Sequence, residues 1–129
     1  MTVHHIGYLV KDIQKARETF GFLGYTAGSE VMYDEYRDVY ILFMHRDGYT
    51  VELVSPGSGN SVVAGLMKRL KNSPYHICYE TENFDEKLAE LEQNGFLRIG
   101  DPCPAPAIDG RKVCFLQSAR IGLIEVLEA

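Results

Sequence analysis

The sequence predicts an α+β protein built from two copies of one β-α-β-β-β unit, and three observations carry that prediction. First, the opening strand Thr2-Val3-His4-His5-Ile6-Gly7-Tyr8-Leu9-Val10 returns as Tyr75-His76-Ile77-Cys78-Tyr79-Glu80. Both copies read His-Ile-x-Tyr and run into a charged, helix-like segment. Second, Val51-Glu52-Leu53-Val54 returns near the C-terminus as Ile124-Glu125-Val126-Leu127. Third, the offsets agree: 76 − 5 = 71 for the histidines and 125 − 52 = 73 for the glutamates. Such agreement is the mark of an internal duplication with a period of roughly 70 residues.

Each element follows from local chemistry. Residues 3–10 alternate as a strand, with Val3, His5, Gly7 and Leu9 on one face. Asp12 is placed to cap a helix whose buried stripe is Ile13, Ala16, Phe20 and Leu23, ended by Gly21 and Gly24. Tyr25 to Val31 reads as a strand, residues 33–38 as a polar, aromatic loop, and Val39 to Met44 as a strand. Asp47-Gly48 supplies the positive φ of a hairpin turn, and Tyr49 to Ser55 returns antiparallel. Residues 56–60 form a Gly/Ser-rich connector. Ser61 is positioned to cap a short helix with an apolar face of Val62, Val63, Leu66, Met67 and Leu70. The pattern then restarts: a strand at Tyr75–Glu80, a helix from the cap Asn83 to Asn94, and a short strand at Phe96–Ile99. Residues 101–106 read as a stiff proline-rich loop. Arg111–Leu116 and Gly122–Leu127 make the closing hairpin. The expected organisation is one domain, 1–129, made of repeats 1–56 and 74–129 joined by a linker helix at about 61–71.

Composition narrows the function. A chain of 129 residues with 46% hydrophobic content can bury one core. A net charge of −5 lacks the basic face that nucleic acid requires. No apolar run reaches membrane-spanning length and no signal peptide precedes the first strand, so the expected compartment is the cytoplasm, with no membrane partner. Cys78, Cys103 and Cys114 are odd in number and match no zinc or redox spacing.

Four polar residues stand out. Glu52 and Glu125 each sit mid-strand in an apolar run, where a carboxylate must be exposed, paired or bound to a cation. Simple alternation, with Thr50 and Glu52 facing water, explains one glutamate alone. A lone strand histidine is ordinarily a hydrogen-bonded structural residue, as His4 and His45 are read here. The set is what points further: His5, Glu52, His76 and Glu125 occupy equivalent places in two copies, and pseudo-twofold symmetry would bring them to one point. Two imidazoles and two carboxylates suit a borderline divalent cation. The predicted architecture is thus tandem βαβββ units forming a curved mixed sheet around a central metal-binding cavity.

The chain resembles the vicinal oxygen chelate superfamily, which includes glyoxalase I, methylmalonyl-CoA epimerase, extradiol dioxygenases and bleomycin-resistance proteins. The resemblance rests on residues 5–13, on Val51-Glu52-Leu53-Val54-Ser55-Pro56, on Ser73-Pro74-Tyr75-His76-Ile77-Cys78-Tyr79-Glu80 and on Ile121-Gly122-Leu123-Ile124-Glu125-Val126. It implies His5, Glu52, His76 and Glu125 as ligands of one divalent metal ion, Ni, Co, Zn or Mn. It implies a metal-dependent isomerase or epimerase, similar to methylmalonyl-CoA epimerase, that abstracts the proton alpha to a carbonyl through a metal-stabilised enolate. Glu125 is the first candidate for the base and Glu52 the second. The alternatives are a lactoylglutathione lyase of the glyoxalase I type and a non-catalytic, resistance-type small-molecule binding protein. An iron dioxygenase uses two histidines and one glutamate, so a fourth ligand at Glu52 argues against it. The implied substrate is an acyl-CoA thioester or a glutathione hemithioacetal, and the implied assembly a homodimer. The resembling epimerases carry a further glutamate where Tyr40 stands here, with Arg37 and Asp38 nearby. That departure bears on the second epimerase base; packing is the expected role of Tyr40, and that of a weaker acid the alternative. Lys68, Arg69 and Lys71 form a basic cluster, read as a solvated helix face, with contact to a CoA phosphate as the alternative.

Overall fold

Asp12 opens the first helix as its position predicts. Its carboxylate accepts a hydrogen bond from the Lys15 amide at 3.1 Å, satisfying a donor that the helix itself leaves unmade. The computed structural model describes all of residues 1–129. The strands are β1 (Thr2–Leu9), β2 (Thr26–Ala27), β3 (Met32–Asp34), β4 (Val39–Arg46), β5 (Tyr49–Pro56), β6 (Ser73–Thr81), β7 (Leu97–Ala105), β8 (Arg111–Ser118) and β9 (Gly122–Glu128). The helices are α1 (Ile13–Phe22), α2 (Ala64–Leu70) and α3 (Phe84–Gln93), with a 3-10 turn at Pro106–Ile108. No helix is long and apolar enough to cross a membrane. The chain divides into a first unit, His5–Tyr75, and a second, His76–Ala129 with Met1–His4. The fold is α+β, with a β-α-β-β-β core in each unit.

In the first unit the sheet order is β2-β4-β5-β1, with β3 paired to β4 beside β2. β1 and β5 are parallel, and β4 and β5 form a two-residue hairpin in which Arg46 faces Tyr49. Asp47 and Gly48 have φ of 47° and 83°, the left-handed pair that such a turn requires. One face of this sheet packs against α1, where Ile13, Ala16 and Phe20 meet Val10, Leu42, Met44, Val51 and Leu53. The second unit repeats the plan in the order β6-β9-β8-β7, with β6 and β9 parallel. Phe84, Leu88 and Leu91 of α3 pack on Leu116, Ile124 and Val126.

Four elements depart from the expectation. The strand expected over Tyr25–Val31 is only Thr26–Ala27, and the Gly28 amide makes one further bond to the Phe43 carbonyl at 3.2 Å. Pairing resumes at β3, inside the stretch expected as a loop, with Tyr33 opposite Tyr40 and their rings 5.0 Å apart. Ser61 does not cap α2. Its hydroxyl accepts from the Val63 amide, the helix begins at Ala64, and none of its own residues is buried. Asn83 holds the cap position of α3 without a side-chain bond, while Thr81 Oγ1 accepts from the Asn83 amide. Finally, residues 101–105 are strand rather than loop. β7 is an edge strand, where prolines are tolerated, and a register shift between Ile99 and Cys103 absorbs the interruption.

Candidate functional site

Strand period and register fix which side chains meet in each unit. In the first, Gly7 is the partner of Glu52, so His5, Gly7, Leu9 and Glu52 share one face of the sheet. Across the β4/β5 hairpin Glu52 faces Phe43. The opposite face carries the α1 core, which leaves His5 and Glu52 on the face turned away from the helix. His5 is 1% exposed and Glu52 6%. His5 Nε2 lies 3.3 Å from Glu52 Oε1, and the Phe43 ring stands edge-on to the imidazole at 5.2 Å and 76°.

The second unit reproduces this arrangement. Cys78 is the partner of Glu125, and Glu125 faces Phe115. His76 and Glu125 are each 4% exposed, Nε2 to Oε1 is 3.3 Å, and the Phe115 ring meets His76 at 5.1 Å and 89°. The sequence-predicted residues are thus brought together in two like pairs, one per unit.

The pair geometry is informative. Charge-assisted N–H···O contacts close to about 2.7–2.9 Å. Two donors that each sit roughly 2.1 Å from one ion, at an angle near tetrahedral or octahedral, lie roughly 3.0–3.4 Å apart. Both pairs fall in the second range. A buried carboxylate is costly unless a cation or hydrogen bonds compensate it. The donor set, imidazole nitrogen with carboxylate oxygen, therefore fits a borderline divalent cation.

The family model described as the Glyoxalase/Bleomycin resistance protein/Dioxygenase superfamily matches residues 4–115. The chain belongs to that superfamily. Among curated relatives, the mitochondrial methylmalonyl-CoA epimerase of Bos taurus is 27% identical over 98% of this chain and 74% of its own length. A hypothetical protein from Bacillus halodurans superposes with a TM-score of 0.88 at 26% identity, covering 99% of this chain and 94% of that one. A variant of the Streptomyces coelicolor methylmalonyl-CoA epimerase, in complex with 2-nitronate-propionyl-CoA, superposes with a TM-score of 0.85 at 20% identity, covering 100% and 94%.

The register bears on Tyr40, for which packing was the expected role. Tyr40 pairs with Ser55, on the sheet face opposite Glu52, and stacks on Tyr33. It cannot deliver a proton to the face that Glu52 occupies. Its neighbours belong to a separate polar cluster. The Arg37 guanidinium bonds the buried Asp34 at 2.7 Å. Asp38 accepts from Tyr33 at 2.6 Å and from the Ser58 hydroxyl, which holds its carboxyl below the ordinary carboxylate value. Lys68, Arg69 and Lys71 lie exposed at the end of α2, where positive charge suits the helix dipole.

Sequence reasoning missed Phe43 and Phe115. Each faces its unit's glutamate and abuts its histidine. The available signal was positional: Leu42-Phe43-Met44 and Cys114-Phe115-Leu116 precede the two glutamates by 52 − 43 = 9 and 125 − 115 = 10 residues.

Proposed function

We propose that this protein is a metal-dependent epimerase acting on an acyl-CoA thioester of the methylmalonyl type. His5, Glu52, His76 and Glu125 would together hold one divalent ion, Ni, Co, Zn or Mn. Repeats 1–56 and 74–129, linked by the helix at about 61–71, would act as one domain within a homodimer. The observation that carries this reading is the duplicated His/Glu pair, buried in each unit with the same 3.3 Å spacing. The curated relative at 27% identity over nearly the whole chain supports the choice of reaction.

When bound, the divalent ion supplies Lewis-acid polarisation of the substrate's carbonyl oxygens. The chain supplies the rest. Glu125 would take the proton from the carbon alpha to the thioester carbonyl onto a carboxylate oxygen, with Glu52 the second candidate for that base; the carboxylic acid so formed exchanges its proton with solvent and returns one to the alpha carbon. Proton transfer by a positioned carboxylate contributes on the order of 10²–10⁴ in rate. His5 and His76, wedged by Phe43 and Phe115, fix the geometry in which both carboxylates act.

The test is solvent exchange. Metal-loaded protein in deuterated water incorporates deuterium at the alpha carbon of methylmalonyl-CoA, read by mass spectrometry, while His76→Ala loses both bound metal and exchange. Absence of exchange at full metal occupancy overturns the reading. A second reading has its own observation. On β4 the residues sharing a face with Glu52 are Val39, Ile41, Phe43 and His45, so that strand offers no further carboxylate there. A lyase of the glyoxalase I type, using only Glu52 and Glu125, fits that face. Turnover of the methylglyoxal–glutathione hemithioacetal in place of methylmalonyl-CoA selects it. A protein that turns over neither returns to the small-molecule binding class.

A further inference from the structure

Beside the duplicated His/Glu pairs stands one pair of metal-type donors that the repeats do not share. The N-terminal segment Met1–His4 belongs with the second unit, His76–Ala129. Within that unit a ring nitrogen of His4 and Sγ of Cys78 lie within 4.8 Å of each other. Cys78 is 0% exposed and forms no disulfide, and His4 is half-buried. The repeat offset makes Gly7 the counterpart of Cys78 (78 − 71 = 7) and Tyr75 the counterpart of His4 (4 + 71 = 75). The first repeat therefore carries no thiol and no imidazole at these positions, and the pair stands outside the duplicated plan.

A buried thiol beside an imidazole has two uses. As a structural contact the thiol is only a weak hydrogen-bond donor. As a ligand it is deprotonated and soft, and the imidazole is a borderline donor. Two such ligands fall short of the four that a structural zinc ion takes. A univalent ion with a filled d shell, such as Cu(I), is satisfied by two donors on opposite sides. With bonds of about 2.3 Å to sulfur and about 2.0 Å to nitrogen, the donors of a linear ion lie about 4.3 Å apart. The His4–Cys78 separation accommodates that span. His4, only half-buried, is the donor that an incoming ion meets first, and the enclosed sulfur holds it.

We propose that Cys78 and His4 form a second metal site, one for the soft univalent ion Cu(I), distinct from the divalent-type His/Glu pairs. This goes beyond the epimerase reading and does not rest on it. The thiol proton passes to solvent as the sulfur–copper bond forms, and no electron changes hands. Cu(I) thus replaces a proton, and the charge of the unit stays the same. That matters because Cys78 is the register partner of Glu125 and shares its sheet face. Neighbouring strands run about 4.8 Å apart, so an added net charge at Cys78 would be felt at Glu125. An exchange of proton for copper adds none, and the His76/Glu125 pair keeps its own preference for a divalent ion. Donor softness sorts the two classes: sulfur with nitrogen for copper, nitrogen with oxygen for the divalent ion.

The test titrates Cu(I) into the reduced full chain against a coloured Cu(I) chelator. Wild type should take up a single Cu(I) in competition with it. Cys78→Ser and His4→Gln should each weaken copper binding by at least the roughly 10–100-fold that losing a mere supporting partner costs. Cys103→Ala, altering the partly exposed thiol, should bind copper as wild type does. X-ray absorption of the wild-type complex should show one sulfur and one nitrogen on copper, which reads the site even where Cys78→Ser fails to fold. Co(II) binding, followed by its absorption spectrum, should be the same in His4→Gln and wild type. Wild-type copper affinity in His4→Gln or in folded Cys78→Ser overturns the proposal, because the pair is then a structural thiol–imidazole contact. Loss of copper in Cys103→Ala, a sulfur-only shell, or no competitive uptake by wild type also overturns it. Parallel loss of Co(II) and Cu(I) in His4→Gln overturns the separateness of the site. Copper binding as expected with no Co(II) bound by wild type sinks the divalent site of the epimerase reading and leaves the copper site standing.

Discussion

Glu125→Gln separates a metal ligand from a structural ion-pair partner, because the two roles give opposite stability signatures. If Glu125 holds a cation with His76, the metal-free protein bears a carboxylate that nearly complete burial disfavours. Replacing it with an isosteric amide then changes metal-free stability by less than about 1 kcal/mol, since the amide still meets the His76 ring. The metal response is what collapses. A ligand present at 100 times its Kd stabilises by about 2.7 kcal/mol. For a chain of this size that is about 8–13 °C in Tm, at about 3–5 °C per kcal/mol. A 100-fold loss of affinity leaves about 0.4 kcal/mol at the same metal concentration, or about 1–2 °C. If the 3.3 Å pair is only a buried salt bridge, removing one partner costs about 3–5 kcal/mol in the metal-free protein. Melting curves of wild type and Glu125→Gln, in chelator and in Ni, Co, Zn or Mn, read both quantities. A metal-free Tm lowered by about 10 °C or more, with no metal response in wild type, refutes the reasoning. Glu52→Gln should behave alike, because the first unit carries the same pair.

Three further predictions concern residues outside the ligand set. Phe115→Leu and Phe43→Leu remove the edge-on ring contacts and should lower metal affinity by roughly two- to ten-fold; a shifted Co(II) absorption spectrum at full occupancy would show the imidazole released, and an unchanged one would refute the positioning role. Tyr33 titrates at about 12, raised first by its hydrogen bond to Asp38, so its contribution to stability is intact below pH 10 and lost as pH rises through about 12. Asp38 is held low by Ser58 and Tyr33, so its contribution is present above the ordinary carboxylate value and lost as pH falls through its lowered one. Ultraviolet titration checks the pair: Asp38→Asn should return Tyr33 toward 10. Among the thiols, burial pushes Cys114 up and Cys78 is fully enclosed, so partly exposed Cys103 should alkylate first in the native protein. Equal labelling of all three by mass spectrometry would contradict that order.

The candidate ligands were legible in the sequence because duplication turned four separately ambiguous residues into one pattern. A single glutamate in an apolar strand reads equally well as water-facing, and Thr50 beside Glu52 encourages that reading. Glu52 is nevertheless buried, as is its neighbour at every position from Val51 to Ser55. Alternation cannot assign a face when both sides of a strand are covered. The same limit hid Phe43 and Phe115, each a single apolar residue within an apolar run. The face that Tyr40 takes was not legible for a related reason: the faces of β4 follow from its register against β5, and a strand side chain changes face with every residue. β7 was unreadable past Ile99 because Pro102 and Pro104 argue against a strand unless it is known to lie at an edge.

Register also exposes what repetition conceals. Aligned on their glutamates, the units place Thr50 against Leu123, His45 against Gln117 and Thr26 against Leu97. The positions that approach the metal-type donors are alike, and the positions one pleat further out are polar in one unit and apolar in the other. A symmetric ion needs only the former. An epimerase substrate is itself asymmetric, bearing a carboxylate on one side of the reacting carbon and a long thioester arm on the other. Under the epimerase reading, like His/Glu pairs with unlike neighbours would let one unit's flank take the carboxylate side of such a substrate and the other its arm. The sequence difference between the repeats, and not their likeness, is therefore where substrate selection should be sought.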